Sequence, residues 1–352
     1  MASSEPFYQE LTLEPEITGG SVPGVARMPN GDIVAVWIDG ENTMGSRSSD
    51  AGVSWSGAEV MAPGVEGDPA LMAARQGTAL HYNAYESVTE GDDAPRYRHS
   101  SLYRMPSGDG GRTFGPATRI DTGKRYNGHA NEGLELRDGT LVLPYYYVRN
   151  LEGGGEVYER DMVCVSSVLT STDGGENWQS GTEVQLPDDP NGADEPAVVE
   201  LGDGDLLMIV RSTRGRHYQS RSSDRGATWS EPVPTVLVAS NTPAALYRLS
   251  FDPGAVVVVW TSTPYIGAMN RYPLSVAISY DDCVSWAHHR ILTNPGCQVS
   301  YPGVTSAEDG TIVVVWQQWL AKTYHFPPYD SIKSRLKCAR FNEEWLREGA
   351  SL

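Results

Sequence analysis

The eight residues Ser222-Ser223-Asp224-Arg225-Gly226-Ala227-Thr228-Trp229 decide the fold. They follow the pattern Ser-x-Asp-x-Gly-x-Ser/Thr-aromatic. The chain repeats the pattern at Ser48 to Trp55, at Ser107 to Phe114, and at Ser171 to Trp178, where Asn177 stands in the Thr slot. A fifth copy, Ser279 to Trp286, carries Cys283 in place of Gly. Successive copies begin 51 to 64 residues apart, a spacing that chance does not produce five times. Each copy has the chemistry of a turn: Asp and Ser cap the turn's own amides, Gly takes the position with positive φ, and the aromatic ring tucks underneath. The motif therefore staples a hairpin and carries no catalysis.

Working outward, each copy lies downstream of a second repeat, a Gly-containing turn followed by an apolar strand. These are Asn30-Gly31 into DIVAVW, Gly77 into TALHYNAY, Asp138-Gly139 into TLVLPYYYV, Asp203-Gly204 into DLLMIVR, Pro253-Gly254 into AVVVVW, and Asp309-Gly310 into TIVVVW. Asp-Gly and Asn-Gly suit two-residue hairpin loops, and the β-branched runs suit strands covered on both faces. A unit of 45 to 65 residues with about four short strands is a propeller blade, and six such units fill the chain. The expected fold is all-β: a six-bladed β-propeller of four-stranded antiparallel blades, one domain over residues 1–352. The expected blades are 21–62, 63–124, 125–190, 191–240, 241–296 and 297–341. In the last, SIKSRLKCAR reads as a strand because Ile332, Ser334, Leu336 and Cys338 alternate with basic residues at period 2. The N-terminal strand 6–14 is expected to close the last blade and remove the open sheet edge.

Composition agrees with this class and narrows the function. The 352 residues include 37 Gly, 23 Pro and 9 Trp, a turn-dense mixture. With 45 acidic against 27 basic residues the net charge is −18, which disfavours a nucleic-acid partner. No apolar run reaches the ~18 residues of a membrane span, and the N-terminus has neither the basic nor the apolar part of a signal peptide. The expectation is a soluble chain from which any export signal has been removed. Cys164, Cys283, Cys297 and Cys338 lack metal-ligand spacing and read as reduced core thiols. Nothing in the pattern calls for a metal or another cofactor. The reduced thiols favour the cytoplasm slightly and a removed export signal would favour secretion, so the compartment stays open.

Six blades with these Asp-box turns resemble the sialidase (neuraminidase) superfamily along nearly the whole chain. The most specific stretch is Asp194-Glu195-Pro196-Ala197-Val198-Val199-Glu200-Leu201 through Asp203-Gly204 to Arg211, then Tyr218. It is similar to the fourth blade of bacterial sialidase-like proteins. The resemblance implies that Glu195 pairs with the nucleophile and that Arg211 binds the substrate carboxylate. Arg271, in Asn270-Arg271-Tyr272-Pro273-Leu274, matches a second carboxylate-binding arginine, and Tyr301, in Val299-Ser300-Tyr301-Pro302-Gly303-Val304, matches the nucleophilic tyrosine. Asp68-Pro69 resembles a family Asp-Pro in the sugar pocket, and RFNEEWL resembles the last strand and cap. Two positions depart from the family. Where sialidases carry Arg-Ile-Pro this chain has Ser21-Val22-Pro23, and the short loop after Ile38 leaves only Asp39, or Glu41, in the place of the acid/base aspartate.

The chemistry follows from the substrate. Sialic acid carries a carboxylate on its anomeric carbon, which repels a carboxylate nucleophile and accepts a phenol; sialidases with a Tyr nucleophile are exceptions to the two-carboxylate scheme. Glu195 would take the phenol proton of Tyr301, while Arg211 and Arg271 hold the acid group. Asp68 is the first choice of proton donor and Asp39 the second. His129, in Tyr126-Asn127-Gly128-His129-Ala130-Asn131-Glu132, is a further sugar-binding candidate. The expected function is an exo-glycosidase releasing a terminal acidic sugar from a glycan. The alternatives are a polysaccharide lyase acting on uronic acids, with His129 or Tyr301 as base, and a non-catalytic glycan-binding propeller. Linkage and oligomeric state leave no mark in the sequence.

Overall fold

The computed structural model describes residues 5–18, 22–65, 67–75, 77–87, 96–129, 131–158, 161–264, 270–293, 297–320 and 333–349. Ser21, the departure in the first blade, lies outside the described residues.

Six antiparallel sheets form a six-bladed propeller. Blade one shows the common plan, with Gly24–Arg27 innermost, then Ile33–Asp39, Asn42–Ser48 and Glu59–Pro63. The innermost strands that matter for the site are Pro69–Ala74 in blade two, Asp194–Glu200 in blade four, Ala245–Arg248 in blade five and Val299–Ser306 in blade six. In blade three the inner strand is split into Asn127–Gly128 and Leu134–Glu135. The long connection of blade three also lends Val157–Tyr158 to Arg96–Ser107 of blade two, a fifth strand that the four-strand expectation lacked.

Tyr8–Thr18 pairs with Lys333–Phe341 from Tyr8 opposite Phe341 to Thr18 opposite Lys333. The N-terminal segment thus supplies the outer strand of the last blade, beginning two residues later and running four residues further than expected. Lys333–Phe341 is a strand, as its period-2 pattern predicts, and a short helix Glu343–Arg347 capped by Asn342 follows it.

Apolar clusters fill the spaces between blades. Trp316, Val314 and Phe341 of blade six pack with Val257, Val259 and Val276 of blade five, and Val25, Ile33 and Trp37 of blade one pack with Val313, Val315 and Leu336 of blade six. Second strands such as Val256–Thr261 are buried along their whole length, which accounts for their unbroken β-branched runs.

The repeated turns behave almost as read. In all five Asp boxes the Ser hydroxyl accepts from the amide four residues on, at 2.8–2.9 Å, including Cys283 N–H in the fifth. The Asp carboxylate accepts from the amide four residues after it, at 2.7–2.9 Å. Cys283 holds φ +64°, the left-handed conformation that Gly supplies in the other copies. The inner hairpins correct one expectation. Met28 N–H donates to Asp32 C=O and Gly31 N–H to Met28 C=O, and blades three, four and six repeat this pattern at Leu136, Leu201 and Ala307. These are three-residue loops in which Gly alone takes positive φ, between +94° and +95°, and not two-residue loops.

Candidate active site

Strand direction places the site. Each inner strand starts on one face of the ring and its neighbour returns to that face. The beginnings of inner strands and the ends of second strands therefore surround one mouth, while the Asp boxes occupy the opposite face. Asp68, His129, Glu195 and Tyr301 belong to the first set, and Asp39 and Arg211 to the second. Arg271 lies in the loop between the second and third strands of blade five on the same face.

Glu195 and Tyr301 sit on matching irregularities. Between Asp194/Arg211 and Ala197/Ile209 the inner strand of blade four holds one residue more than its partner. Between Ser300/Gln317 and Gly303/Val315 blade six does the same. Glu195 (φ +42°) and Tyr301 (φ +53°) are the left-handed residues of these bulges. Such a conformation costs a side-chain-bearing residue about 1–3 kcal/mol and concentrates at functional sites, where a bulge re-aims a side chain.

Arg211 is the electrostatic centre. Its Nη1 donates to Glu195 Oε2 at 2.5 Å and lies 3.6 Å from Asp194 Oδ2, while Nε donates to Asn241 Oδ1 at 2.7 Å. Burial works against its charge, but Glu195, Asp194 and then the Tyr301 phenol overcome this and push it well above the usual arginine range. Asp194, only 6% exposed, is raised to about 6 by burial and by the Glu195 charge, against the pull of Arg211. Arg271 is 3% exposed, its guanidinium carbon 5.6 Å from the centre of the Tyr301 ring. Arg211, Glu195, Tyr301 and Arg271 thus converge. The partner shown by the Glu195 carboxylate is the Arg211 guanidinium, where sequence reasoning anticipated the phenol.

Tyrosines carry the wall around to blade two. Tyr146 is partly exposed and projects oppositely to the buried Tyr145 and Tyr147, as strand alternation requires. Burial, with the nearby phenols of Tyr85 and Tyr126 and the carboxylates of Asp194 and Glu195, raises its hydroxyl well above the ordinary phenol range. Gly128 lies against this ring, which a Cβ would meet at 2.4 Å. Tyr85 donates to Asp68 Oδ2 at 2.5 Å and tilts against Tyr126 at 6.0 Å. Asp68 therefore joins the same rim from blade two.

The remaining candidates lie apart from this chain of contacts. Asp39 ends the second strand of blade one beside the two-residue turn Gly40-Glu41, on the mouth's face but with no contact to Arg211 or Tyr301 among the described residues. His129 is turned into the protein, 2% exposed, with His81 nearby. Burial lowers His129 to about 4, so it is neutral at pH 7.

Sequence reasoning missed Glu132. Its Oε1 accepts from Val25 N–H of blade one at 2.5 Å and lies in a cradle formed by Gly24 and Gly303, where Cβ atoms would stand 3.0 and 3.2 Å away. A side chain from blade three thus reaches across to the inner strands of blades one and six. Burial lifts its carboxyl to about 7. In the sequence Glu132 is simply the end of the His129 segment, and no local pattern announces an inter-blade contact. Among the described residues no three His, Cys, Asp or Glu side chains gather in a way that could hold a metal, and no helix is long and apolar enough to cross a membrane.

The fold is a six-bladed Asp-box propeller whose mouth holds two buried arginines, Arg211 and Arg271. The chain belongs to the BNR repeat-like domain family, whose profile matches residues 31–314. It is 30% identical over 142 residues to a sialidase of Paraclostridium sordellii, covering 37% of this chain and 32% of that protein. It is 27% identical over 232 residues to a sialidase of Vibrio cholerae serotype O1, covering 56% of this chain and 29% of that one. The matches thus span about a third of these relatives' length. The fold is shared with the NanB sialidase of Streptococcus pneumoniae (TM-score 0.70, 13% identity, 94% of this chain and 71% of that one). It is shared equally with a leech intramolecular trans-sialidase (TM-score 0.69, 14% identity, 94% and 69%). A Dyadobacter fermentans protein described as of unknown function also superposes (TM-score 0.69, 14% identity, 95% and 99%).

Proposed function

We propose that the protein is an exo-acting glycoside hydrolase of sialidase type that releases a terminal acidic sugar, sialic acid or a related sugar acid. The observation that carries this reading is the pair of matching bulges that aim Glu195 and Tyr301 toward Arg211 and Arg271. In this reading the two guanidiniums take the substrate carboxylate in planar, charge-assisted hydrogen bonds. The Tyr301 oxygen attacks the anomeric carbon, and its proton passes to Glu195. The leaving oxygen takes a proton from Asp68, whose position on the rim beside Tyr85 suits a donor better than that of Asp39.

Two arginines recognise an anion within a chain of net charge −18, because a few buried cations dominate the local field. With Ser21 in place of a third arginine, one charge-assisted contact of about 1.5–3 kcal/mol is lost, a factor of roughly 10–100 in affinity.

A turnover screen tests the reading, using fluorogenic sialosides, related nonulosonic-acid glycosides and uronides. Release of a free acidic sugar from one of the first two classes is expected. An unsaturated product absorbing in the ultraviolet would replace the hydrolase with a lyase, and glycan binding without turnover would replace it with a lectin-like propeller.

A further inference from the structure

Arg211 is held by two carboxylates that differ in how they are themselves held. Asp194 is tied down: Oδ1 accepts from Glu195 N–H at 2.9 Å and Oδ2 from Asn191 Nδ2 at 3.0 Å. Glu195 reaches Arg211 through a longer side chain that ends on Nη1 alone. A substrate carboxylate that docks on Arg211 meets a guanidinium already bonded to Glu195 through Nη1 and to Asn241 through Nε. Anions crowded on one guanidinium in a buried site repel each other, and the one with the looser tether yields. Asp194 has no such freedom, because its other partners are a backbone amide and a side-chain amide.

We infer that Asp194 is a positioning residue that keeps Arg211 in place while the acid group of the substrate displaces Glu195 from Nη1, so that Glu195 turns to the Tyr301 phenol only when an acid is bound. The inference rests on the hydrolase reading and deepens it. The proton balance is simple: the freed Glu195 carboxylate receives the phenol proton as the Tyr301 oxygen forms its bond to the anomeric carbon. The arrangement selects acidic sugars in the chemical step as well as in binding, since a neutral sugar leaves Glu195 on the guanidinium and the phenol without its base.

Calorimetric binding of free sialic acid and of its uncharged methyl ester tests this on the wild type, on Glu195→Gln and on the double variant Asp194→Asn/Glu195→Gln, each first shown to melt cooperatively. Removing the competing charge in Glu195→Gln should tighten sialic acid at least 10-fold and leave the methyl ester unchanged, although turnover is lost. The double variant should lose that gain, because no carboxylate then holds Arg211 for the incoming acid and Asn241 bonds it through Nε only. Equal or weaker binding by Glu195→Gln overturns the exchange, and a full gain retained in the double variant overturns the role of Asp194. If folded wild type and Glu195→Gln both fail to bind sialic acid at millimolar concentration, the hydrolase reading for this sugar falls and the inference falls with it.

Discussion

Glu195 and Tyr301, 106 positions apart in the chain, occupy the same place in two different blades, each the left-handed residue of a one-residue bulge at the head of an inner strand. Backbone strain repeated at equivalent positions is what a site demands when two side chains must face a common centre. Removing the function of either residue should therefore leave the fold intact.

For Tyr301, replacement by Phe keeps the ring beside Arg271 and deletes only the oxygen proposed as nucleophile. Turnover of a fluorogenic sialoside should fall by at least about 10²–10⁴-fold, with the melting temperature within a few degrees of wild type. Retained activity would remove Tyr301 from the mechanism.

Arg271→Lys keeps the charge but loses the planar fork. The expected result is a KM raised about 10–100-fold, from loss of a contact of about 1.5–3 kcal/mol, with a smaller change in kcat. An unchanged KM would place Arg271 in a structural role, packed on Tyr301.

A proton donor reveals itself through the leaving group. Asp68→Asn should slow substrates with alkoxide-like leaving groups far more than activated aryl glycosides, which depart without a proton. Tyr85→Phe, which removes the hydroxyl bonded to Asp68, should move the alkaline limb of the rate profile, on which a proton donor is lost. If Asp68→Asn slows both substrate types alike, the donor lies elsewhere and Asp39 becomes the next residue to test.

Glu132 ties stability to pH. Its folded value of about 7 lies above the ordinary carboxyl value of 4.5, so the folded state binds the proton more tightly. The stability this contributes is fully present below about pH 4.5 and is lost as pH rises through about 7. The shift corresponds to at most about 3 kcal/mol, lessened because the residue retains some exposure. Glu132→Gln keeps an acceptor for Val25 N–H and removes the titration. Relative to wild type, this variant should gain melting temperature between pH 5 and pH 8.5; parallel curves would show that Glu132 is not raised in this way.

Much of the architecture was legible because it is written locally and repeatedly. Ser and Asp of each Asp box bond within eight residues, so a single copy shows the turn and five copies show the ring. Arg211 and Tyr301 were legible because their flanking residues resemble a known family. The rest depends on relations that a linear pattern does not display. A bulge is a mismatch between two strands, so neither at Glu195 nor at Tyr301 does the sequence alone mark the extra residue. Glu132 meets Val25 and Gly303 only after the ring closes, and Asp194 gains its place from Arg211 and Asn191 together. The inner turns were misread for a related reason: Asn30-Gly31 and Asp138-Gly139 fit a two-residue loop, and only the hydrogen bonds to Met28 and Leu136 reveal the third loop residue.

The pairing of Tyr8–Thr18 with Lys333–Phe341 has a consequence for how the molecule comes into being. The partner strands are made more than 300 residues apart, so at synthesis rates of about 5–20 residues per second the early strand waits some tens of seconds for its mate. During that interval five blades can assemble on the ribosome while the sixth remains incomplete. Closure is thus a late event of high contact order, and the finished ring is locked by the earliest-made strand of the fold.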